Sequence, residues 1–194
     1  MYVALNEANM TNIEHLDVEA HLVARLRAGD ETAFEMLVAR YQAPLFRYLC
    51  SFVGDAEQAH DLVQETFLRA FRSIHTLEEA KTLRGWLYRI AHNLACSLLR
   101  RRRLIRWLPL THDRHTATPS PDRATVEAAC VEEALAQVPV DQRAPLLLHL
   151  VGGFSYAEVA AMLQLSESTV RMRISRGRAS FRRAYDTEED HNAT

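Results

Sequence analysis

The stretch "SYAEVAAMLQLSESTVRMRIS", residues Ser155–Ser175, decides the fold of the second half of the chain. Its apolar residues recur at three- and four-residue steps on both sides of a short polar break, which is typical of two consecutive helices. Ser155 and Glu158 have the spacing of a capping box, and Ser166 is a second N-cap after a turn at Gln164. Two short helices joined by such a turn predict a helix-turn-helix.

The second of these helices is rich in arginine. Residues 166–183 contain six arginines and a single acid, Glu167. At about 100° per residue, one narrow arc of the helix is apolar and is expected to be buried: Val170, Ile174, Gly177 and Phe181. The opposite side is expected to be exposed: Ser168, Met172, Ser175, Arg176 and Arg183.

This exposed face has two interpretations. A helix that presents arginine and hydroxyl groups in its first turns can enter the major groove of DNA, where arginines bind base acceptors or phosphates. The alternative is a solvated arginine-rich helix with no ligand. We rank the alternative lower, because ordinary surface helices alternate charges of opposite sign and this helix does not.

Composition limits the other possibilities. With 194 residues, of which 48% are hydrophobic and 25% charged, the chain has room for one large globular domain or two small ones. The net charge of −2 argues against a uniformly basic nucleic-acid-binding protein, although arginines cluster locally. Cys50, Cys96 and Cys130 are widely spaced and suggest neither a disulfide framework nor a zinc site. We find no membrane span or signal pattern and expect a soluble cytoplasmic protein.

The first half of the chain has helical periodicity from Asp17 onward. Gly29 and Asp30 separate the first two helices, with Asp30 as a candidate N-cap. Pro44 lies inside the second helical pattern, so that helix is expected to kink or restart there. A third helix is expected to follow Asp55.

A Pro- and Thr-rich segment between the two halves has the composition of a linker. The sequence therefore predicts an all-α protein of two small helical domains joined by a flexible linker. After the linker we expect four short helices. The predicted units are an N-terminal tail, a first lobe, the linker, a second lobe and an acidic tail: residues 1–17, 18–103, 104–124, 125–185 and 186–194.

Two segments of the first lobe carry candidate binding surfaces. "HDLVQETFLRAF", residues 60–71, is expected to expose polar side chains and Leu68 on one side, a surface suited to a partner helix. Periodicity alone is explained equally well by an ordinary amphipathic helix. The side expected to face inward carries Leu62, Phe67, Ala70 and Phe71.

The second segment is "GWLYRIAHNLACSLLRRRR", residues 85–103. Trp86, Tyr88 and Asn93 lie near an arginine cluster, and such a combination can hold single-stranded nucleic acid by stacking and phosphate contacts. The alternative places Trp86 in the core and the arginines at a helix C-terminus, where the helix dipole favours positive charge.

Five features in this order resemble the extracytoplasmic-function (group IV) sigma factors of bacterial RNA polymerase over roughly residues 18–185. They are "DLVQETFLRAF", "GWLYRIAHN", "LLRRRR", the Pro-rich linker and "GFSYAEVAAMLQLSESTVRMRISRGR". The resemblance implies that residues 18–103 are sigma region 2 and residues 125–185 are sigma region 4. It implies docking of region 2 on the clamp helices of the largest subunit of the polymerase core through Asp61, Gln64, Glu65 and Arg69.

The resemblance also implies a bipartite promoter site. Region 2 would recognise and melt the minus-ten element through Trp86, Tyr88, Arg89, Asn93, Arg100 and Arg101. Region 4 would bind the flap of the second-largest subunit and would read the minus-thirty-five element through Ser168, Thr169, Arg171, Met172, Ser175 and Arg176.

The remaining implications concern regulation and chemistry. The resemblance implies control by an anti-sigma factor, possibly membrane-bound, and a regulon for stress or for a metal or envelope response. We expect no catalytic residue, metal, cofactor or small-molecule substrate. Two alternatives stay open: a conventional helix-turn-helix regulator that binds duplex operator DNA without polymerase, and, ranked last, a hydrolase using His and Asp or Glu of the first lobe.

Overall fold

The computed structural model describes residues 19–77, 83–105 and 123–192. Within these ranges the chain is helical apart from short turns, and one 3-10 turn covers Ile74–Thr76. The predicted all-α class is confirmed. The helices are α1 (residues 19–27), α2 (Glu31–Val53), α3 (Ala56–Ser73), α4 (Leu83–Ile105), α5 (Arg123–Gln137), α6 (Val140–Leu150), α7 (Tyr156–Leu163) and α8 (Glu167–Asn192).

Capping residues set the helix boundaries of the first lobe, α1 to α4. The Asp30 carboxylate accepts a hydrogen bond from the Ala33 amide, as the sequence predicts, and Asp55 caps α3 by accepting from the Gln58 amide. Gly54 ends α2 with φ of 68°, a left-handed conformation that favours glycine, and its N–H bonds to the Cys50 carbonyl.

Of the kink or restart expected at Pro44, the restart does not occur. The helix α2 runs without interruption from Glu31 to Val53 with Pro44 inside it. The proline removes one backbone hydrogen bond, but Tyr41, Leu45 and Tyr48 on either side of it are buried in one core. Packing on both halves of α2 therefore outweighs the local cost.

The first-lobe core confirms most of the predicted apolar stripe of α3 and corrects one residue. Leu62, Phe67 and Ala70 are buried as predicted. Phe71 was expected to face inward but is 55% exposed, with its ring edge-on to that of Phe34 at 5.2 Å between centroids. Phe34 is itself only half-buried, so the pair of rings lies at the edge of the core, while Ala70 on the same turn of α3 remains buried.

The second lobe, α5 to α8, packs α8 across α5, α6 and α7. Val170 and Ile174 are fully buried, and Gly177 lies where α8 crosses α6. A Cβ at Gly177 would lie 3.1 Å from the Gln142 carbonyl oxygen, so a side chain there would require α6 to move by a few tenths of an ångström. The expectation of four short helices is wrong for α8, which has 26 residues and continues to Asn192 through most of the predicted acidic tail.

The structure describes both ends of the predicted linker between the lobes, but not its middle. The predicted linker, residues 104–124, overlaps the end of α4 and the start of α5, and its residues 106–122 lie outside the described residues. The predicted N-terminal tail also lies outside them. The two lobes contact each other directly: α2 packs against α5 and α6, and α4 packs against α7.

Candidate functional site

The helix-turn-helix predicted from the sequence is present in α7 and α8. Ser155 and Glu158 form the capping box: the Glu158 carboxylate accepts from the Ser155 amide at 2.8 Å, and the Ser155 hydroxyl accepts from the Glu158 amide at 3.3 Å. Gln164 makes the turn in the left-handed conformation, with φ of 55°. Ser166 then caps α8 by accepting from the Thr169 amide at 3.2 Å.

The candidate minus-thirty-five residues occupy the N-terminal half of α8. Five of the six are exposed: Ser168, Arg171, Met172, Ser175 and Arg176. Arg171 flanks the stripe of buried Val170 and Ile174, and the other four lie on the far side of the helix. The sixth, Thr169, is half-buried, and its hydroxyl lies 2.8 Å from that of Ser166 within the cap. Thr169 is therefore placed to shape the helix start rather than to reach a ligand.

The arginines of α8 fall into groups with different surroundings. The Arg171 guanidinium lies over the Tyr156 ring, 5.6 Å from its centroid, so α7 braces it beside the N-terminus of α8. Arg173 points to α6, where its Nε is 3.9 Å from an Asp141 carboxylate oxygen. Arg176 is exposed. The face formed by the five exposed residues, which we call the α8 face, thus carries two arginines, two serines and one methionine.

The candidate minus-ten residues on α4 divide between core and surface. Trp86 is 7% exposed and Tyr88 is 1% exposed. The Tyr88 ring packs against Tyr48 and against Phe154 of the second lobe, at centroid distances of 5.4 and 4.9 Å. Both aromatic rings are therefore buried, as the alternative reading of Trp86 as a core residue expected, and a base could stack on either ring only after the surrounding side chains moved.

The polar members of that set remain on the surface of α4. Arg89, Asn93, Arg100 and Arg101 are exposed. The first three fall within about 40° of one another around the helix axis, so they share one side of α4. Ser97 lies between them, donates to the Asn93 carbonyl at 2.8 Å and accepts from Arg100 at 3.0 Å. We call this surface the α4 face.

The arginine run at the end of α4 is not uniform. Arg102 turns inward, where its guanidinium donates to the Val53 carbonyl at 3.2 Å and pairs with Asp55 at 3.1 Å. It thereby binds the C-terminus of α2, where carbonyl groups lack helical partners. Arg102 is therefore a structural residue bound to a helix C-terminus, although the sequence alternative placed the arginines at the C-terminus of their own helix rather than that of α2.

The third surface lies on α3. Asp61, Gln64 and Arg69 are exposed, and Glu65 is partly exposed and pairs with Arg69 at 2.7 Å. Leu68, 50% exposed, lies among them. The predicted combination of polar groups around an exposed apolar side chain is present, and we call it the α3 face.

The core behind the α4 face contains a histidine. His92 is mostly buried, its Nδ1 lies 3.0 Å from the Tyr48 hydroxyl, and its Nε2 lies 3.4 Å from the Cys96 sulfur. Burial lowers the pKa of His92 to about 4 and raises the pKa of the Cys96 thiol. His92 is therefore neutral near pH 7 and serves as a packed polar group of the core.

Sequence reasoning missed the arginines that join the lobes, Arg84 and Arg143. Arg143 is 8% exposed and donates to carbonyl groups of both lobes. The available signal was its position in "RAPLLLHL", an arginine followed by an apolar run on a short helix. Among the residues that the structure describes, no cluster of His, Cys, Asp or Glu could hold a metal ion. The described helices also include none that is long and apolar enough to cross a membrane.

Two protein-family models match this chain, one within the first lobe and one within the second. Residues 37–105 match the family model for sigma-70 region 2, and residues 128–181 match the model for sigma-70 region 4. The first match covers most of α2, α3 and α4, including the α3 and α4 faces. The second contains the helix-turn-helix and the α8 face.

Curated relatives cover nearly the same span. The chain is 34% identical to the RNA polymerase sigma-H factor of Pseudomonas aeruginosa, over 86% of this chain and 93% of that protein. It is 34% identical to the ECF RNA polymerase sigma factor SigX of Bacillus subtilis, over 76% of this chain and 80% of that protein. The chain therefore belongs to the extracytoplasmic-function (ECF) family of RNA polymerase sigma factors.

A solved structure shares the fold. The sigma factor RpoE from Bartonella quintana, in a co-crystal with the anti-sigma factor NepR, is 25% identical with a TM-score of 0.68. The match covers 79% of this chain and 96% of that one. The similarity thus extends over both lobes.

Proposed function

We propose that this chain is an alternative sigma factor that brings RNA polymerase core to a defined set of promoters through three faces. The observation that carries the proposal is their distribution: the α3 face and α4 face lie on the first lobe, and the α8 face lies on the helix-turn-helix of the second. A protein that must hold a polymerase and two separate promoter elements needs surfaces of this kind on both lobes.

The α3 face is proposed to dock on the clamp helices of the largest polymerase subunit. Asp61, Gln64 and the Glu65–Arg69 pair supply polar contacts around exposed Leu68. An apolar side chain surrounded by polar groups is the usual layout of an interface centre and rim. The outer surface of the second lobe is proposed to meet the flap of the second-largest subunit.

The α8 face is proposed to read the minus-thirty-five element as duplex DNA. Arg171 and Arg176 can donate to guanine or phosphate acceptors, and Ser168 can bind a phosphate near the helix N-terminus. The minus-ten element is proposed to bind the α4 face, where Arg89, Asn93 and Arg100 contact the backbone. Arg101, exposed beside that face on the same helix, is proposed to contact the backbone as well. Stacking on Tyr88 or Trp86 would follow only once those rings become accessible, and it would offset the cost of unstacking the bases.

The sigma factor itself performs no covalent chemistry in this proposal. It takes no metal, cofactor or small-molecule substrate, and it works in the cytoplasm with the polymerase. An anti-sigma factor, soluble or membrane-bound, is a proposed partner, since the sigma factor from Bartonella quintana is in complex with one. A regulon for stress or for a metal or envelope response is the corresponding biological role.

The decisive experiment is transcription in vitro with purified core polymerase and genomic DNA fragments of the source organism. We expect start sites that depend on both the chain and core, and only weak binding of the chain alone to duplex DNA, because its net charge is −2. Tight, sequence-specific duplex binding without core and no transcript with it would instead support the conventional regulator.

A further inference from the structure

We infer that Met172 of the α8 face reads the C5-methyl group of a thymine in the minus-thirty-five element, within about two base pairs of a guanine bound by Arg176. The inference rests on the proposed function, because it names a base that the α8 face recognises. It gives a specificity-determining role to an apolar side chain, which can bind neither a phosphate nor a base acceptor.

Met172 is an apolar side chain in the middle of a polar, cationic surface. It is 42% exposed, and among the side chains of α8 that the structure describes it is the one large apolar group with so much exposure. At about 100° per residue, Met172 lies nearly opposite the stripe of buried Val170 and Ile174. Its neighbours on the surface carry hydroxyl and guanidinium groups: Ser168, Ser175 and Arg176. Met172 therefore occupies the centre of the surface that is proposed to enter the major groove.

Arg171 is held at the edge of the α8 face. Its guanidinium lies over the Tyr156 ring, 5.6 Å from the centroid, and that ring also packs against the His149 ring at 4.8 Å between centroids. The His149 Nδ1 atom donates to the Phe154 carbonyl oxygen at 2.7 Å, since a carbonyl group only accepts. This stack keeps Arg171 on the side of α8 that faces α7, a position suited to a phosphate contact. The centre of the face is left to Met172 and its neighbours.

The chemistry of the methionine side chain selects thymine among the four bases. In the major groove the purines present acceptors and donors, cytosine presents an amino group, and thymine alone presents a methyl group. The thioether of Met172 has no donor and only a weak acceptor, so against a purine edge or a cytosine amino group it would leave polar groups unpaired. Against a thymine methyl group it removes apolar surface of both partners from water. Thymine is therefore the base that fits opposite Met172.

The charge of the α8 face favours DNA over a protein as the partner that covers Met172. The face carries two arginines and no acid, so its charge complements the phosphates of a duplex. The serine hydroxyls beside Met172 are groups that bind phosphates and base edges. A protein partner is the outcome from which the experiment must separate DNA.

The spacing of Met172 and Arg176 sets the relative positions of the two bases. Residues four apart are about 6 Å apart along a helix axis, and successive base pairs are about 3.4 Å apart. Arg176 is exposed and can donate to the acceptors of a guanine. The thymine read by Met172 therefore lies one or two base-pair steps, about 3 to 7 Å, from that guanine.

Deoxyuridine provides the test, because it pairs as thymine does but lacks the C5-methyl group. Each thymine of a minus-thirty-five element located by start-site mapping is replaced singly, and core-dependent transcript is measured with the parent chain and with Met172→Ala. Loss of one buried methyl contact should lower the transcript of the parent about fourfold at one position. Met172→Ala should give the lower level on both templates, because its contact with the methyl group is already lost. Met172→Leu keeps an apolar side chain and should remain sensitive to deoxyuridine.

A reverse experiment adds the methyl group to a different base. The sensitive thymine is replaced by cytosine, with guanine opposite, and then by 5-methylcytosine. The methyl group should raise the transcript of the parent about fourfold over that with cytosine, and should leave the transcript of Met172→Ala unchanged. Equal transcript of the parent from the two templates would contradict the methyl contact.

Met36→Ala is the matched control, because Met36 of α2 is 49% exposed and lies on the first lobe. It should respond to deoxyuridine as the parent does. Because Met172 is exposed, Met172→Ala should fold normally, which equal thermal unfolding of this variant and the parent would establish.

Two results would overturn the inference: insensitivity of the parent at every thymine, or equal sensitivity of the parent and Met172→Ala. If Met172→Ala lowers the transcript on every template while deoxyuridine has no effect on the parent, Met172 contacts a protein and the inference is again wrong. If the parent yields no core-dependent transcript from the unmodified promoter, the proposed function itself has failed, which is a separate outcome.

Discussion

Arg143 of α6 donates a hydrogen bond to the carbonyl of Phe52, 91 residues earlier in the chain, at 2.9 Å. Arg102 donates to the neighbouring Val53 carbonyl at 3.2 Å, so two arginines from different lobes bind the same end of α2. Arginine in this protein therefore serves two purposes: some side chains satisfy helix ends inside the fold, and others form the faces proposed to bind DNA. The predictions below separate these purposes by their effect on stability and on transcription.

Arg143→Ala should strongly destabilise the protein. The change leaves the buried carbonyl groups of Phe52 and Val138, and the partly buried one of Ala136, without this donor, and an unsatisfied buried polar group costs about 1–3 kcal/mol. We expect the free energy of unfolding, measured by urea denaturation, to fall by about 3 kcal/mol. Arg173→Ala is the control: its pair with Asp141 is long at 3.9 Å and partly exposed, so its removal should change stability by less than about 1 kcal/mol. Equal effects of the two variants would contradict the structural role of Arg143.

Gln164→Gly should stabilise the helix-turn-helix. Gln164 holds φ of 55° at the turn, a region that costs a non-glycine residue about 1 kcal/mol, and its side chain is exposed. Glycine removes that strain, although it adds freedom to the unfolded chain. We expect a net gain of about 0.5 kcal/mol and a small rise in Tm, followed by circular dichroism. Gln164→Ala keeps the strain and should bring no gain; a gain as large as that of glycine would show that backbone conformation is not the cause.

Arg176→Ala should impair transcription without affecting the fold. Arg176 is exposed on the α8 face, so the free energy of unfolding should change by less than about 0.5 kcal/mol. Loss of one arginine–base contact costs about 1–3 kcal/mol, so transcript from a cognate promoter should fall roughly 5- to 150-fold. Arg183→Ala, two turns further along the same helix and also exposed, is the matched control. If both variants retain full output and promoter choice, Arg176 does not read the minus-thirty-five element.

Asp61→Arg should weaken binding to core polymerase. Asp61 is exposed on α3, so reversing its charge should not disturb the core of the lobe, while it should repel the partner surface that the carboxylate now complements. We expect at least about tenfold weaker binding in fluorescence anisotropy with labelled chain and purified core. Glu35→Arg makes the same change at an exposed position of α2 and should bind normally. Similar weakening by both variants would point to net charge rather than to the α3 face.

The elements of the fold could be predicted where local chemistry decides them. Asp30, Ser155 and Ser166 mark helix starts because short polar side chains satisfy the first amide groups, and these contacts occur in the structure. The uninterrupted course of α2 through Pro44 could not be predicted, because the packing of Tyr41, Leu45 and Tyr48 is a tertiary effect. The cost of the backbone hydrogen bond lost at Pro44 can be read from the sequence, but the packing energy that offsets it depends on residues brought together only by the fold.

The sequence could predict which side chains each helix exposes, but not how the helices of the two lobes pack against one another. Periodicity correctly separates buried Val170 and Ile174 from exposed Arg176. It could not show that Tyr88 meets Phe154, or that Arg102 turns inward while Arg101 stays exposed, because these depend on contacts between residues far apart in the chain. Arg84 and Arg143, the arginines that join the lobes, were missed for the same reason.

Acidification should destabilise the first lobe through His92. Burial lowers the folded-state pKa of His92 from 6.5 to about 4, so below pH 6.5 the unfolded chain binds a proton that the folded chain does not. Stability is therefore complete above the unfolded pKa and is lost as the pH falls from about 6.5 to about 4. Each unit of pKa difference corresponds to 1.36 kcal/mol, so between pH 7 and pH 5 the loss should be about 2 kcal/mol.

The measurement is urea denaturation of the parent chain and of His92→Gln at both pH values. The glutamine amide can donate a hydrogen bond to the Tyr48 hydroxyl or accept one from it, but it does not titrate. Because the carboxylates titrate alike in both chains, the difference in pH dependence between them isolates His92. We expect the variant to lose about 2 kcal/mol less than the parent on acidification. A parallel decline of the two chains would mean that His92 takes up its proton in the folded state as readily as in the unfolded one, and that burial does not lower its pKa.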